Sequence, residues 1–230
     1  YLCKKIKDMK FKVLYNALGP DEIFGGYEYY QKANKLSKFI FFLNLPMAFY
    51  PSKYRHKISE IQSFGLQAFP FISRQLFKWK EINQFLLKEN QEIPEHPISF
   101  INKQITNIYP SFNQLPLLKK MSYYDIFYYI SSHHTFRSDE PSMRYSIEMR
   151  FPFLEHTFVE KYFNQEDTFD NINKNLKPKF RDNLKNILAS KTFKMGKRGF
   201  TIPIEKIQTE IPYTNKNWYL KMLEYIRFHK

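Results

Sequence analysis

The side chains best placed to do chemistry in this sequence lie between glycines. Asp21 and Glu22 sit inside Gly19-Pro20-Asp21-Glu22-Ile23-Phe24-Gly25-Gly26-Tyr27, and Lys197 and Arg198 lie between Gly196 and Gly199, with Lys194 two residues ahead of Gly196. Five of the chain's 6 glycines fall in these two stretches, so glycine marks backbone that needs positive φ or close approach. Paired carboxylates after a tight Gly-Pro turn can hold Mg²⁺ against a nucleotide, because this ion takes one or two carboxylates together with phosphate oxygens. The same acids could instead complement a helix N-terminus, at a few tenths to about 1 kcal/mol each. A basic turn between glycines suits phosphate, although in a lysine-rich chain it also reads as a solvated loop.

Elements must position these groups. Phe11-Lys12-Val13-Leu14-Tyr15 reads as a short strand running into the first glycine stretch. Strand, turn and helix opening in that order belong at the carboxyl edge of an open α/β sheet, where ligands bind. Further on, Ser142 to Glu148 reads as a short helical face, with Met143 and Ile147 at i, i+4 and Arg144 paired with Glu148 alongside. Pro152 should end that helix. His133 and His134 invite a metal reading, but adjacent helical residues point about 100° apart, which favours a structural or substrate-contacting role.

The order of three blocks is informative. Gly-Pro-Asp-Glu-Ile-Phe-Gly-Gly-Tyr from Gly19, Ser-Met-x-x-Ser-Ile-Glu-x-Arg-x-Pro-Phe-Leu-Glu-His from Ser142, and Lys-x-Gly-Phe-x-x-Pro from Lys197 together resemble the C-terminal synthetase domain of the glutamine-hydrolysing asparagine synthetase family. The likeness spans roughly Lys10 to Pro203. It implies an α/β fold: the mostly helical C-terminal part of an adenine nucleotide alpha hydrolase-like (ATP pyrophosphatase) domain, with one remaining strand of a parallel sheet.

By the same resemblance Asp21 matches the acid that helps hold Mg²⁺ and pyrophosphate, with Glu22 its neighbour. Lys197 matches a loop lysine that stabilises charge on the phosphates and the reacting acyl group. Arg137 and Asp139 match a polar pair near the acyl-adenylate, and Asn16, Ala17, Leu18 and Gly19 match the segment lining ATP. The implied catalytic set is Lys197, Glu22 and Arg137. The implied activity is ATP-dependent amide formation: a carboxylate, first of all that of aspartate, is activated as an acyl-adenylate and attacked by ammonia from glutamine.

Departures from the family pattern shift this expectation. Leu18 stands where a catalytic Glu is usual, and His134 where a partner Asp is usual. A leucine accepts no proton and steers no ammonium ion, so the acceptor could be another carboxylate, as in paralogues of polysaccharide or peptide pathways. A non-catalytic synthetase-like module is the competing class. The sequence also lacks the family's Ser-Gly-Gly-x-Asp-Ser ATP loop, and Cys3 lacks the context of a glutaminase nucleophile. The expectation is therefore a fragment, with the glutaminase domain missing, a partial synthetase domain over 1–210 and a helical tail over 211–230. Homodimerisation is compatible with this reading.

Composition agrees. With 230 residues, 43% of them hydrophobic, the chain can bury a core, and 13 prolines with few glycines predict short helices separated by proline stops. Helices are expected near 22–33, 53–62, 72–87, 97–106, 117–134, 153–163, 178–189, 203–209 and 218–227. The net charge of +14, with 24 Phe and 17 Tyr, has the flavour of nucleic-acid binding. The basic residues run evenly along the chain rather than clustering, so no nucleic-acid partner is expected. Phe39 to Phe49 is the most apolar run, too short to span a bilayer, and reads as a buried segment, with surface anchoring the lesser alternative. One cysteine excludes an internal disulfide and fits a cytoplasmic setting.

Overall fold

Two short strands, β1 (Val13–Tyr15) and β2 (Glu148–Arg150), pair in parallel with Val13 opposite Glu148 and Tyr15 opposite Arg150. The pairing runs one bond further at each end, from Glu148 N–H to Lys12 O at 2.8 Å and from Asn16 N–H to Arg150 O at 2.8 Å. The structure is a computed structural model that describes residues 2–75, 77–88 and 90–194. Lys197, the expected helices at 203–209 and 218–227, and the expected boundary at 210 lie outside the described residues.

The remaining elements are helical, as an α/β fold dominated by helices requires. They are α1 (Leu2–Asp8), α2 (Pro20–Phe24), α3 (Glu28–Ser37), α4 (Ile40–Leu43), α5 (Ser52–Phe64), α6 (Phe69–Arg74), α7 (Trp79–Lys88), α8 (Pro97–Ile108), α9 (Leu117–Tyr124), α10 (Thr135–Met143), α11 (His156–Asn164), α12 (Pro178–Leu184) and α13 (Ser190–Lys194). A π-helical segment, Asp125–His134, joins α9 to α10. The chain divides into one unit of Tyr1–Ser73 with Glu95–Leu188 and another of Arg74–Pro94 with Ala189–Lys230. In the second unit the described helices are α7 and α13.

Within the larger unit, helical periodicity accounts for the core. Ile98, Ile101 and Ile105 recur at i, i+3 and i+7 on α8 and are all buried. Leu43, Ile61, Leu66, Ile72 and Ile98 form one cluster, Tyr29, Tyr30, Ala33, Met121 and Ile172 a second, and Ile101, Ile105, Phe112 and Tyr124 a third. Phe24 is fully buried, with ring centroids of Tyr162 at 4.9 Å, Phe180 at 5.2 Å and Phe158 at 6.2 Å. These rings fasten the short α2 to α11 and α12, which is how a five-residue helix keeps one position.

Several expectations need correction. The segment from Ser142 to Glu148 is not a helix: α10 closes with Ser146 N–H on Met143 O at 2.9 Å and Ile147 N–H on Ser142 O at 3.0 Å, and Ser146 takes φ 55. This is a left-handed helix stop built on serine instead of glycine. Arg144 consequently pairs backwards with Glu140 at 2.8 Å, while Glu148 enters β2 and pairs with Arg150 at 2.8 Å. The helix expected over 22–33 is broken by Gly25 and Gly26, and the one over 72–87 is interrupted between Arg74 and Trp79. The apolar run at Phe39 to Phe49 buries Leu43 but leaves Phe39, Phe41 and Phe49 exposed.

Candidate functional site

The first glycine stretch forms a tight turn at the carboxyl end of β1. Asn16 ends the strand, and its side-chain Oδ1 accepts from Leu18 N–H at 3.0 Å, an Asx turn that redirects the chain. Gly19 follows with φ 116, and a Cβ placed there would lie 2.7 Å from Leu154 Cδ2 and 3.2 Å from Phe153 O. Conformation and space both exclude a side chain. Pro20 then opens α2 with its φ already helical, and Glu22 and Ile23 N–H return to Gly19 O at 3.1 and 3.0 Å.

Asp21 is half-buried on this turn. Gly26 N–H donates to Asp21 O at 2.6 Å, and a Cβ on Gly26 would run into the Asp21 carboxylate. Lys177 supplies a cation, its Nζ 3.0 Å from Asp21 Oδ1, with both side chains under a third exposed. Lys177 arrives there from the N-terminal cap of α12, in a left-handed conformation with φ 52 and its N–H on Gly25 O at 3.2 Å. The acid therefore sits in a preformed acid-base pair at a strand end.

Glu22 points the other way, into the protein, at 1% exposure. Tyr27 Oη donates to its Oε1 at 2.5 Å, and Oε2 has no hydrogen-bond partner among the described residues. Burial, and to a smaller extent the negative charges of Asp125 and Asp21, push its pKa from the ordinary 4.5 up to about 7, against the lowering effect of Tyr27. Beside it Asp125 Oδ2 accepts from Tyr29 and Tyr30 at 2.6 Å each, and Tyr30 Oη lies 3.1 Å from Glu22 O. Glu22 thus braces the turn from within, next to a tyrosine-lined carboxylate at the start of the π-helical segment.

The other expected residues are placed as follows. Asn16 and Leu18 are half-buried and Ala17 is exposed at the turn. Asn16 Nδ2 reaches Ser138 Oγ at 3.5 Å, which brings α10 beside the strand end. Arg137 and Asp139 flank Ser138 and are exposed. Arg137 Nη1 lies 3.2 Å from His133 Nε2, and His134 packs edge-on against Tyr129 with ring centroids 4.4 Å apart. The structure joins Asn16 to Asp21 in one turn and brings the Arg137–Asp139 stretch alongside through Ser138.

No three His, Cys, Asp or Glu side chains gather into a metal cage among the described residues. A single half-buried carboxylate still fits Mg²⁺, which keeps waters and phosphate oxygens as its other ligands. Glu22, buried and aimed inward, does not belong to that donor set. Sequence reading missed Lys177, Tyr27, Tyr29, Tyr30 and Asp125. For Lys177 the one available signal was the Lys-Pro helix start, which announces an element but no charge partner.

A family model described as Asparagine synthase matches residues 1–223. Among curated proteins and among solved structures, none matches the chain. The match takes in the strand-end turn, the parallel partner strand and α10 between them, and this chain belongs to the asparagine synthase family.

Proposed function

We propose that the chain forms part of an ATP-dependent amide-forming ligase that activates a carboxylate, first of all that of aspartate, as an acyl-adenylate for attack by ammonia released from glutamine. The observation that carries this reading is the turn at the carboxyl end of β1, where Asp21 is held against Gly26 and paired with Lys177 at 3.0 Å. Membership of a family of ATP-dependent synthetases supports it.

The substrate carboxylate attacks the α-phosphorus of ATP, the bond to the β-phosphate oxygen breaks and pyrophosphate leaves. Ammonia then adds to the acyl carbon and AMP departs. Asp21 would hold Mg²⁺, which supplies charge neutralisation to the phosphates when bound. Lys177 holds Asp21 in orientation through their contact at 3.0 Å. Backbone groups of Asn16 to Gly19 would border the nucleotide, Arg137 and Asp139 the acyl end, and Lys197 would stabilise charge developing on the phosphates. Glu22 acts behind Asp21 by fixing the α2 turn, a positioning role.

Leu18 favours one variation: an amidotransferase acting on a carboxylate other than aspartate, because no proton acceptor stands at that position. The deciding experiment measures amide and pyrophosphate formation by the product of the complete reading frame, wild type beside Lys197→Ala, with ATP, Mg²⁺, glutamine and aspartate. Asparagine and pyrophosphate rising together in the wild type and failing in the variant support the reading. A folded, ATP-binding wild type that yields neither product moves the substrate to another carboxylate, and a folded protein that binds no ATP refutes the ligase.

A further inference from the structure

We propose that the segment from the end of α3 to the first turns of α5 is a docking face for the surface of an anionic lipid bilayer. It stands independently of the reaction. From Tyr29 to Ser59 the sequence contains no Asp or Glu, while Lys32, Lys35, Lys38, Lys53, Arg55 and Lys57 are all exposed. Inside this acid-free stretch three phenyl rings face water: Phe39 is 58% exposed, Phe41 75% and Phe49 74%, and Tyr54 is half-exposed as well. Phenylalanine has no polar end that would account for such exposure, and exposed rings in a stretch whose charged side chains are all basic mark an interaction surface.

The backbone that carries these rings is fastened down. Leu43 is buried in the core with Ile61 and Leu66, and Gln62 on α5 donates from Nε2 to Leu43 O at 2.7 Å and Leu45 O at 3.1 Å. Arg55 Nε donates to Tyr50 O at 2.9 Å, and its Nη2 to Ala48 O at 3.4 Å. Both α4 and the 3-10 turn Met47–Phe49 pack on α5. The main chain's polar groups around Leu43 to Tyr50 are thus served from α5, and the rings remain outside on a held support. Ordered, exposed hydrocarbon beside exposed ammonium groups matches the layered chemistry of a membrane interface, with apolar side chains at the acyl boundary and cations among anionic headgroups.

Charge complementarity selects this occupant. Lys32 is already paired with Glu28 at 3.2 Å; an anionic leaflet attracts the other cations together and offers hydrocarbon to the rings between them, whereas a protein surface would have to set carboxylates and an apolar patch in matching places. A single-stranded nucleic acid would also answer the charge and could stack its bases on the rings, so binding to single-stranded RNA is the competing outcome in the test. No helix among the described residues is long and apolar enough to cross a membrane, so the contact lies on the surface.

The test is co-flotation of the complete chain with vesicles of phosphatidylcholine alone and of phosphatidylcholine mixed with phosphatidylserine. Wild type is compared with Phe39→Ser/Phe41→Ser/Phe49→Ser and with Lys35→Glu/Lys38→Glu, circular dichroism confirming that each remains folded. The wild type binds phosphatidylserine vesicles and is released by salt. The triple variant binds at least tenfold more weakly, and each lysine charge removed weakens binding by about fivefold. Failure of the folded wild type to float, or flotation untouched by the triple substitution, overturns the proposal. So does a result in which these substitutions abolish binding to single-stranded RNA, or convert a dimer to a monomer, while vesicles bind no protein.

Discussion

Replacing Glu22 with glutamine should make the protein's stability less sensitive to pH, by an amount that follows from the site. Glu22 is 1% exposed, one oxygen bonded to Tyr27 and the other without a hydrogen-bond partner among the described residues. Its pKa rises from 4.5 to about 7 on folding, chiefly through burial. Below 4.5 both folded and unfolded chains carry the proton, and this group adds no pH dependence. Between 4.5 and about 7 the unfolded chain ionises while the folded one does not, so stability falls as pH rises. Above about 7 both are ionised and the loss is constant. At about 1.4 kcal/mol per pH unit, the gap amounts to about 3 kcal/mol. Glutamine cannot titrate, so the stability of Glu22→Gln relative to wild type should rise by about 3 kcal/mol between about pH 4 and about pH 8. Urea unfolding of both proteins across that range measures the difference. Any fixed cost of an unsatisfied amide cancels, because only the change with pH is read. A difference that stays flat, or falls with rising pH, refutes the buried, proton-retaining Glu22.

Two further substitutions probe the same turn. Gly19→Ala places a methyl 2.7 Å from Leu154 Cδ2 at a backbone angle of φ 116, and thermal unfolding should show a loss of about 2–3 kcal/mol; an unchanged melting temperature would contradict the strained turn. Leu18→Glu should raise aspartate-dependent asparagine formation by at least about tenfold in the complete protein, as a positioned acid-base group commonly contributes. Identical aspartate use by wild type and variant counts against a substrate shift at this position.

Much of the site's frame was legible because glycine and proline speak locally. Gly19 and Pro20 announced a strand-end turn that opens a helix, and both are present, although Gly25 and Gly26 end that helix at Phe24 where a longer one was expected. The helix expected near 97–106 is likewise present as α8, and its buried face is made by Ile98, Ile101 and Ile105. What stayed hidden was backbone geometry carried by residues that rarely adopt it. Ser146 at φ 55 and Lys177 at φ 52 are left-handed without glycine; the first sits in a local helix stop on Met143 O and Ser142 O, with a residue type that does not announce it, and the second is held by long-range contacts to Gly25 O and Asp21. The first conceals β2, the strand that completes the parallel pair. The second conceals the partner of Asp21. The Glu22, Asp125 and tyrosine cluster was hidden for a related reason: its members come from segments about a hundred positions apart, and each looks like an ordinary helical residue in its own stretch. The exposed phenylalanines were misread because an apolar run signals burial by default, and only the surroundings of each ring decide otherwise.

The central claim is that Asp21, paired with Lys177 at the end of β1, serves a reaction that releases pyrophosphate from ATP. Its most direct test is carboxylate-dependent exchange of labelled pyrophosphate into ATP by the complete protein, wild type beside Asp21→Asn, with folding checked by thermal unfolding. Exchange that depends on Mg²⁺ and a carboxylate in the wild type, and falls by at least about a hundredfold in the variant, is the predicted result. Exchange at the wild-type rate in a folded Asp21→Asn protein would contradict it.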